Sequence, residues 1–100
     1  MNNFVWQESD SQDFIDYGRY FVPQREAQLQ MIADLIPQPT GEAHILELSC
    51  GEGLLAQTLL RRFPSVTVHG YDISPAMLEQ AQLRLAHFGQ RFVTRQFDLN

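Results

Sequence analysis

Apolar residues recur along the chain with two different periods. Leu29, Ile32, Ala33 and Ile36 fall at i, i+3, i+4 and i+7, the spacing of one helix face, and that face is expected to be core. Pro37-Gln38-Pro39-Thr40-Gly41 ends this helix, because proline lacks the N–H a helix needs and constrains the residue before it. Residues 44–48 then form a short apolar strand candidate, followed by the small-residue turn Ser49-Cys50-Gly51-Glu52-Gly53. Residues 54–63 read as a helix stopped by Pro64, and residues 66–71 as a β-branched strand. Ser74 suits an N-cap and Pro75 a first helical position. The stripe Leu78, Ala81, Leu85 and Phe88 follows, with Gly89 placed to close the helix. Residues 91–97 are a third strand candidate. Upstream, residues 1–13 look like a loose polar arm with scattered aromatics, and residues 13–20 like a short helix.

Helix, strand, helix, strand, helix, strand is the order of a parallel sheet with right-handed crossovers. The expected fold is therefore α/β, the first half of a doubly wound parallel sheet: three strands with flanking helices. Residues 1–22 form an N-terminal arm and short helix, and residues 23–100 an α/β half-domain that is expected to be incomplete at its C-terminal end. In such a sheet the first strand is central, so here it is left as an open apolar edge. Self-association through that edge, or membership of a larger domain, is the expectation.

Composition narrows the chemistry. At 44% apolar and 19% charged residues the chain is ordinary globular protein. All seven bases are Arg against twelve acids, a net charge of -5. The absence of Lys excludes a P-loop lysine, a kinase strand lysine and a Schiff-base lysine. The acidic balance argues against capture of nucleic acid or an anionic membrane surface. Cys50 is the single cysteine, so an internal disulfide is excluded and a reducing cytoplasm is the natural compartment. Apolar runs never exceed three residues, too short for a spanning helix, and the first residues lack the pattern of a secretion signal. His44, His69 and His87 share no ligand spacing, so no metal site is expected.

The stretch Ile45-Leu46-Glu47-Leu48-Ser49-Cys50-Gly51-Glu52-Gly53 runs a strand into a tight turn and then a helix, the layout for binding a ligand at a strand's carboxyl end. Gly51 and Gly53 let the backbone approach that ligand. Asp72, nineteen residues beyond Gly53, ends the second strand and can accept from two ribose hydroxyls. Together these imply a ligand containing adenosine. Gly51-Glu52-Gly53-Leu54-Leu55-Ala56 also matches G-x-G-x-x-A, so an NAD(P)-dependent oxidoreductase is an alternative. Glu47 and Glu52 speak against it, since each carboxylate beside a phosphate costs roughly 1 kcal/mol even at high dielectric. S-adenosylmethionine, a sulfonium with an ammonium and no phosphate, matches the charges better.

Glu47-Leu48-Ser49-Cys50-Gly51-Glu52-Gly53 resembles the E/D-x-G-x-G-x-G signature of class I S-adenosylmethionine-dependent methyltransferases. Gly70-Tyr71-Asp72-Ile73-Ser74-Pro75-Ala76-Met77-Leu78 resembles the family's second motif, and Phe97-Asp98-Leu99 its third. The resemblance covers residues 26–100 and implies a Rossmann-like cofactor half. It implies that Glu47 faces the methionine amino group and that Ser49, Cys50 and Gly51 offer backbone contacts to the methionine moiety. Asp72 would take the ribose, Ile73 the adenine face and Asp98 the adenine amino group, and Leu99 would offer its backbone N–H to the ring. One departure stands out: Ser49 replaces the pattern's first glycine, so that position should have a backbone conformation open to a side chain.

Plainer roles remain for several of these residues. Glu47 could bind backbone N–H groups, Asp72 could cap the next helix, and Asp98 could be solvated. Cys50 reads as a buried loop residue and Met77 as packing. The ligand's carboxylate needs a cation, and Arg25, with Arg19, Tyr17 and Tyr20 near it, is the candidate; pairing of Arg25 with Glu26 or Asp16 is the plainer reading. The expected activity is methyl transfer from the sulfonium to a small-molecule acceptor by in-line displacement, which needs chiefly alignment. No catalytic base is identified, and a non-catalytic half-module is the remaining alternative.

Overall fold

The computed structural model describes residues 5–21 and 24–98, the side chains of residues 18–21 excepted. The elements are α1 (Glu8–Phe21), α2 (Arg25–Leu35), β1 (Ala43–Leu48), α3 (Leu54–Arg62), β2 (Val66–Asp72), α4 (Pro75–Leu85) and β3 (Phe92–Gln96). A 3₁₀ turn over Ala86–Arg91 joins α4 to β3. The strands pair in parallel in the order β1-β2-β3, with Ala43 opposite Val66 and Val68 opposite Phe92. This is the expected half of a doubly wound α/β sheet, with β1 as a free edge.

Side chains alternate across each strand, and only one face of the sheet is covered. Ala33, Ala56, Leu59, Leu60, Phe63, Val66, Val68 and Leu85 form the buried core between α2, α3, α4 and that face. On the other face Leu46, Leu48 and Val93 are exposed, and the His44 Nδ1 lies 2.9 Å from the His69 Nε2. Among the described residues no helix is long and apolar enough to cross a membrane. No group of three or more metal-ligating side chains is found among them either.

Four expectations are corrected. Residues 8–13 are not a loose arm but the first turns of α1. Asp10 accepts from the Gln7 N–H at 2.8 Å, half of a capping box that starts the helix earlier. Ile32 is exposed although it lies on the expected core stripe, because α2 reaches the core through Ala33. The fourth helix stops at Leu85, and Phe88 and Gly89 fall in the 3₁₀ turn. Arg91 precedes β3 rather than starting it. Its guanidinium donates to the Leu60, Phe63 and Val66 carbonyls, closing the C-terminal end of α3.

Candidate cofactor site

Three chain segments meet at the carboxyl ends of the strands. The turn after β1 is held down from two sides. The Cys50 N–H donates to the Tyr71 carbonyl at 2.9 Å, and the Gly51 N–H donates to Asp72 Oδ2 at 2.8 Å. The other oxygen of Asp72 accepts from the Ser74 N–H at 2.9 Å, and Ser74 caps α4 by accepting from the Met77 N–H. Asp72 thus ties the end of β2 to the glycine turn and to the start of α4.

The turn needs its glycines for different reasons. Gly53 has φ +87°, and a Cβ there would lie 3.0 Å from Leu85 and 3.1 Å from Ala81, so the turn packs directly on α4. Ser49 adopts φ +57°. This overturns the expectation of an ordinary conformation at that position: Ser49 keeps the left-handed backbone that glycine would adopt, at a cost of about 1–2 kcal/mol. Gly70 lies behind the turn, and Cys50 packs against it. Burial, with the Glu47 and Asp72 carboxylates nearby, pushes the Cys50 thiol up to about 12, so it is inert packing.

A cavity of about 330 Å³ opens in front of the turn, lined by Trp6, Phe14, Ser49, Gly51, Asp72, Ile73 and Met77. Of the residues singled out from sequence, it gathers Ser49, Gly51, Asp72 and Ile73. Glu47, the penultimate residue of β1, lies at the same end of the sheet. Its Oε1 is buried without a hydrogen-bond partner, and desolvation, then the Asp72 charge, raise the carboxyl to about 7. Gly53 supports the turn from behind. Asp98 is exposed, one residue past the Phe97 N–H that bonds the Asp72 carbonyl, and it is not part of the lining. Leu99 lies outside the described residues, as do the side chains of Arg19 and Tyr20. Met77, read as packing, is buried and also lines the cavity.

Arg25 sits elsewhere. It lines a second, more open cavity of about 790 Å³ and pairs with Glu52 at 3.4 Å, not with Glu26 or Asp16. Arg84 of α4 reaches the same carboxylate at 3.8 Å and donates to the Glu52 carbonyl at 3.1 Å. The two arginines offset the Glu52 charge through Oε1, while its Oε2 is buried without a hydrogen-bond partner, as the Glu47 Oε1 is. Sequence reasoning missed Trp6, two residues before α1, and Phe14 within it. Phe14 falls seven residues before Phe21 in a helix, but no local signal shows which helix face meets the cleft.

A strand-turn-helix with an acid closing the next parallel strand defines a nucleoside-binding α/β domain. The family model described as "Methyltransferase domain" matches residues 46–99, more than half of the chain, and the chain belongs to that family. It is 34% identical over 68 residues to the malonyl-[acyl-carrier protein] O-methyltransferase of Halorhodospira halophila, covering 68% of this chain and 23% of that protein. A geranyl diphosphate methyltransferase bound to GPP and sinefungin superposes with a TM-score of 0.60 at 25% identity, over 73% of this chain and 28% of that one. The Thiobacillus denitrificans methyltransferase bound to S-adenosylhomocysteine shares the fold, with a TM-score of 0.69 at 20% identity over 94% and 37% of the two chains. The chain spans less than half the length of each of these proteins.

Proposed function

We propose that this chain is the cofactor-binding half of an S-adenosylmethionine-dependent methyltransferase that acts on a small-molecule acceptor. The observation that carries the reading is the buried, unpartnered Glu47 Oε1 beside the glycine turn. A buried carboxylate oxygen without a donor is costly, and a ligand ammonium supplies both the donor and the charge. S-adenosylmethionine brings an activated methyl group on sulfur. The protein's part is to hold it: Asp72 at the ribose, Ile73 at the adenine, and the backbone of Ser49, Cys50 and Gly51 along the methionine. Asp98 and Leu99, which follow β3 in the sequence, complete the adenine contacts in this reading.

Arg25 is our candidate for the ligand's carboxylate. Its guanidinium stands 5.7 Å from the centre of the ring of Phe14, which lines the cofactor cavity. The acceptor class is supported by the geranyl diphosphate enzyme, whose name states a small acceptor. A cytoplasmic location is supported by the free, buried Cys50. Self-association through the free edge of β1 also belongs to this reading.

Calorimetric titration with S-adenosylhomocysteine tests the assignment. Asp72→Ala should weaken binding about ten- to 150-fold, the loss of charged hydrogen bonds worth about 1.5–3 kcal/mol. Arg25→Ala should weaken S-adenosylmethionine and spare adenosine, which has no carboxylate. No binding of S-adenosylhomocysteine, or tighter binding of a nicotinamide dinucleotide, overturns the assignment.

A further inference from the structure

On the bare face of the sheet two neighbouring strands bring two imidazoles together. His44 is the second residue of β1 and His69 the fourth of β2. The parallel register sets Thr67 opposite His44 and Leu46 opposite His69, so the two rings meet on the diagonal. His44 Nδ1 stands 2.9 Å from His69 Nε2, and the ring centres are 5.2 Å apart. The far nitrogen of His44, Nε2, lies 3.6 Å from Glu42 Oε1. A carboxylate, an imidazole and a second imidazole thus follow one another across the edge of the sheet. Spacing along the chain shows no ligand set, because only the β1–β2 pairing joins histidines 25 residues apart.

Two facing ring nitrogens can share one hydrogen bond, one donating and the other accepting. A carboxylate beside His44 Nε2 favours the tautomer with its proton there, which leaves the Nδ1 lone pair facing His69. His69 Nε2 then carries the shared proton. An entering metal ion takes the place of that proton, which moves to Nδ1 of the same ring, and both facing nitrogens give their lone pairs to the ion. With metal–nitrogen lengths of about 2.0–2.1 Å, a separation of 2.9 Å subtends an angle of about 90° at the ion. That is the angle between adjacent ligands of a tetragonal ion and is narrower than the tetrahedral angle zinc adopts. The His44 side chain is 57% exposed, so an ion reaches the pair from solvent and water fills its other positions. Both ligands stand on paired strands, which fixes their separation better than a loop would.

We propose that His44 and His69 form a two-histidine chelate for a divalent transition-metal ion of tetragonal preference, copper(II) or nickel(II), with Glu42 as the positioning residue. The bound ion clips β1 to β2 at the free edge of the sheet. The cofactor reading plays no part in this site.

Titration of the untagged protein with Cu2+, followed by calorimetry and electron paramagnetic resonance, tests the chelate. One Cu2+ should bind per chain, with a tetragonal spectrum coupled to two imidazole nitrogens. Glu42→Gln should weaken Cu2+ about tenfold while both nitrogens stay in the spectrum. His44→Asn and His69→Asn, which keep a polar side chain, should each weaken it further and leave a single imidazole nitrogen. His87→Asn, altering a ring stacked on Phe88 in the 3₁₀ turn, should change neither affinity nor spectrum. Saturating Ni2+ should raise the melting temperature of the wild-type protein and not that of the His44 or His69 variants, since only the folded chain joins the two rings. Equal Cu2+ affinity in the wild type and the His44→Asn/His69→Asn double variant overturns the chelate, as does a wild-type spectrum with one imidazole nitrogen. Unchanged affinity in Glu42→Gln overturns the positioning role of Glu42.

Discussion

At the end of β1, Glu47 holds a carboxyl that burial and the Asp72 charge raise from 4.5 to about 7. Between those two values the native state keeps a proton that the unfolded chain has released. Stability therefore falls as pH climbs from 4.5 to 7 and stays at the lower level above it. The penalty above pH 7 is of order 3 kcal/mol. Glu47→Gln removes the titration while keeping the shape. Urea unfolding at pH 8 should show the variant more stable by up to about that amount, with little difference at pH 4.5. Binding should move the opposite way. S-adenosylmethionine affinity should rise between pH 6 and 7.5 in the wild-type protein, as Glu47 ionises, and be weaker and flat in the variant. A variant of equal stability at pH 8 would show that Glu47 finds a partner in the free protein. The position of Glu47 was legible from the strand and glycine spacing. Its missing partner was not, because burial and the neighbouring charge depend on residues distant in sequence, Asp72 among them.

The turn between β1 and α3 works only because its neighbours leave room for it. A Cβ at Gly70, in the middle of β2, would come within 2.9 Å of Cys50 Sγ and 3.2 Å of both Cys50 Cβ and the Phe92 ring. Gly70→Ala should therefore cost about 1–3 kcal/mol as overpacking. It should also weaken S-adenosylhomocysteine binding, since Cys50 moves with the turn. Removing the sulfur with Cys50→Ala should recover part of the loss in the double variant, a non-additive result expected for residues in contact. Simple additivity in thermal melts would mean that the two do not share this space. The strand character of residues 66–71 was readable from β-branching, and the helix after Ser74 from its cap. The role of Gly70 was not readable, because it depends on a side chain twenty residues away in sequence.

Across the whole molecule the covered and bare faces of the sheet set the behaviour. Leu46, Leu48, Val93 and Phe97 are 57%, 52%, 42% and 41% exposed, and among the described residues no strand pairs with the outer edge of β1. A free apolar edge is a template for pairing. Sedimentation of this chain should show dimers or larger species that dissociate on dilution. Leu46→Glu, placing a charge on the bare face, should shift the distribution toward monomer while leaving the core intact. A monomer at every concentration would overturn the self-association reading.

Local chemistry alone determined much of this protein. The order of helices and strands follows from apolar periodicity and from Pro and Gly punctuation. The proposed ligand site at the glycine turn and Asp72 follows from a spacing confined to one βαβ unit. The tertiary structure decided what depends on distant neighbours. Ser49 takes a left-handed conformation, Arg25 and Arg84 converge on Glu52, and Ile32 stays exposed. It also decided where α1 lies. Glu8 and Ser74 are 66 residues apart, and no pattern within α1 shows that its acid will accept from the N-terminus of another helix. Periodicity shows which face of an element is apolar; only packing shows what that face meets.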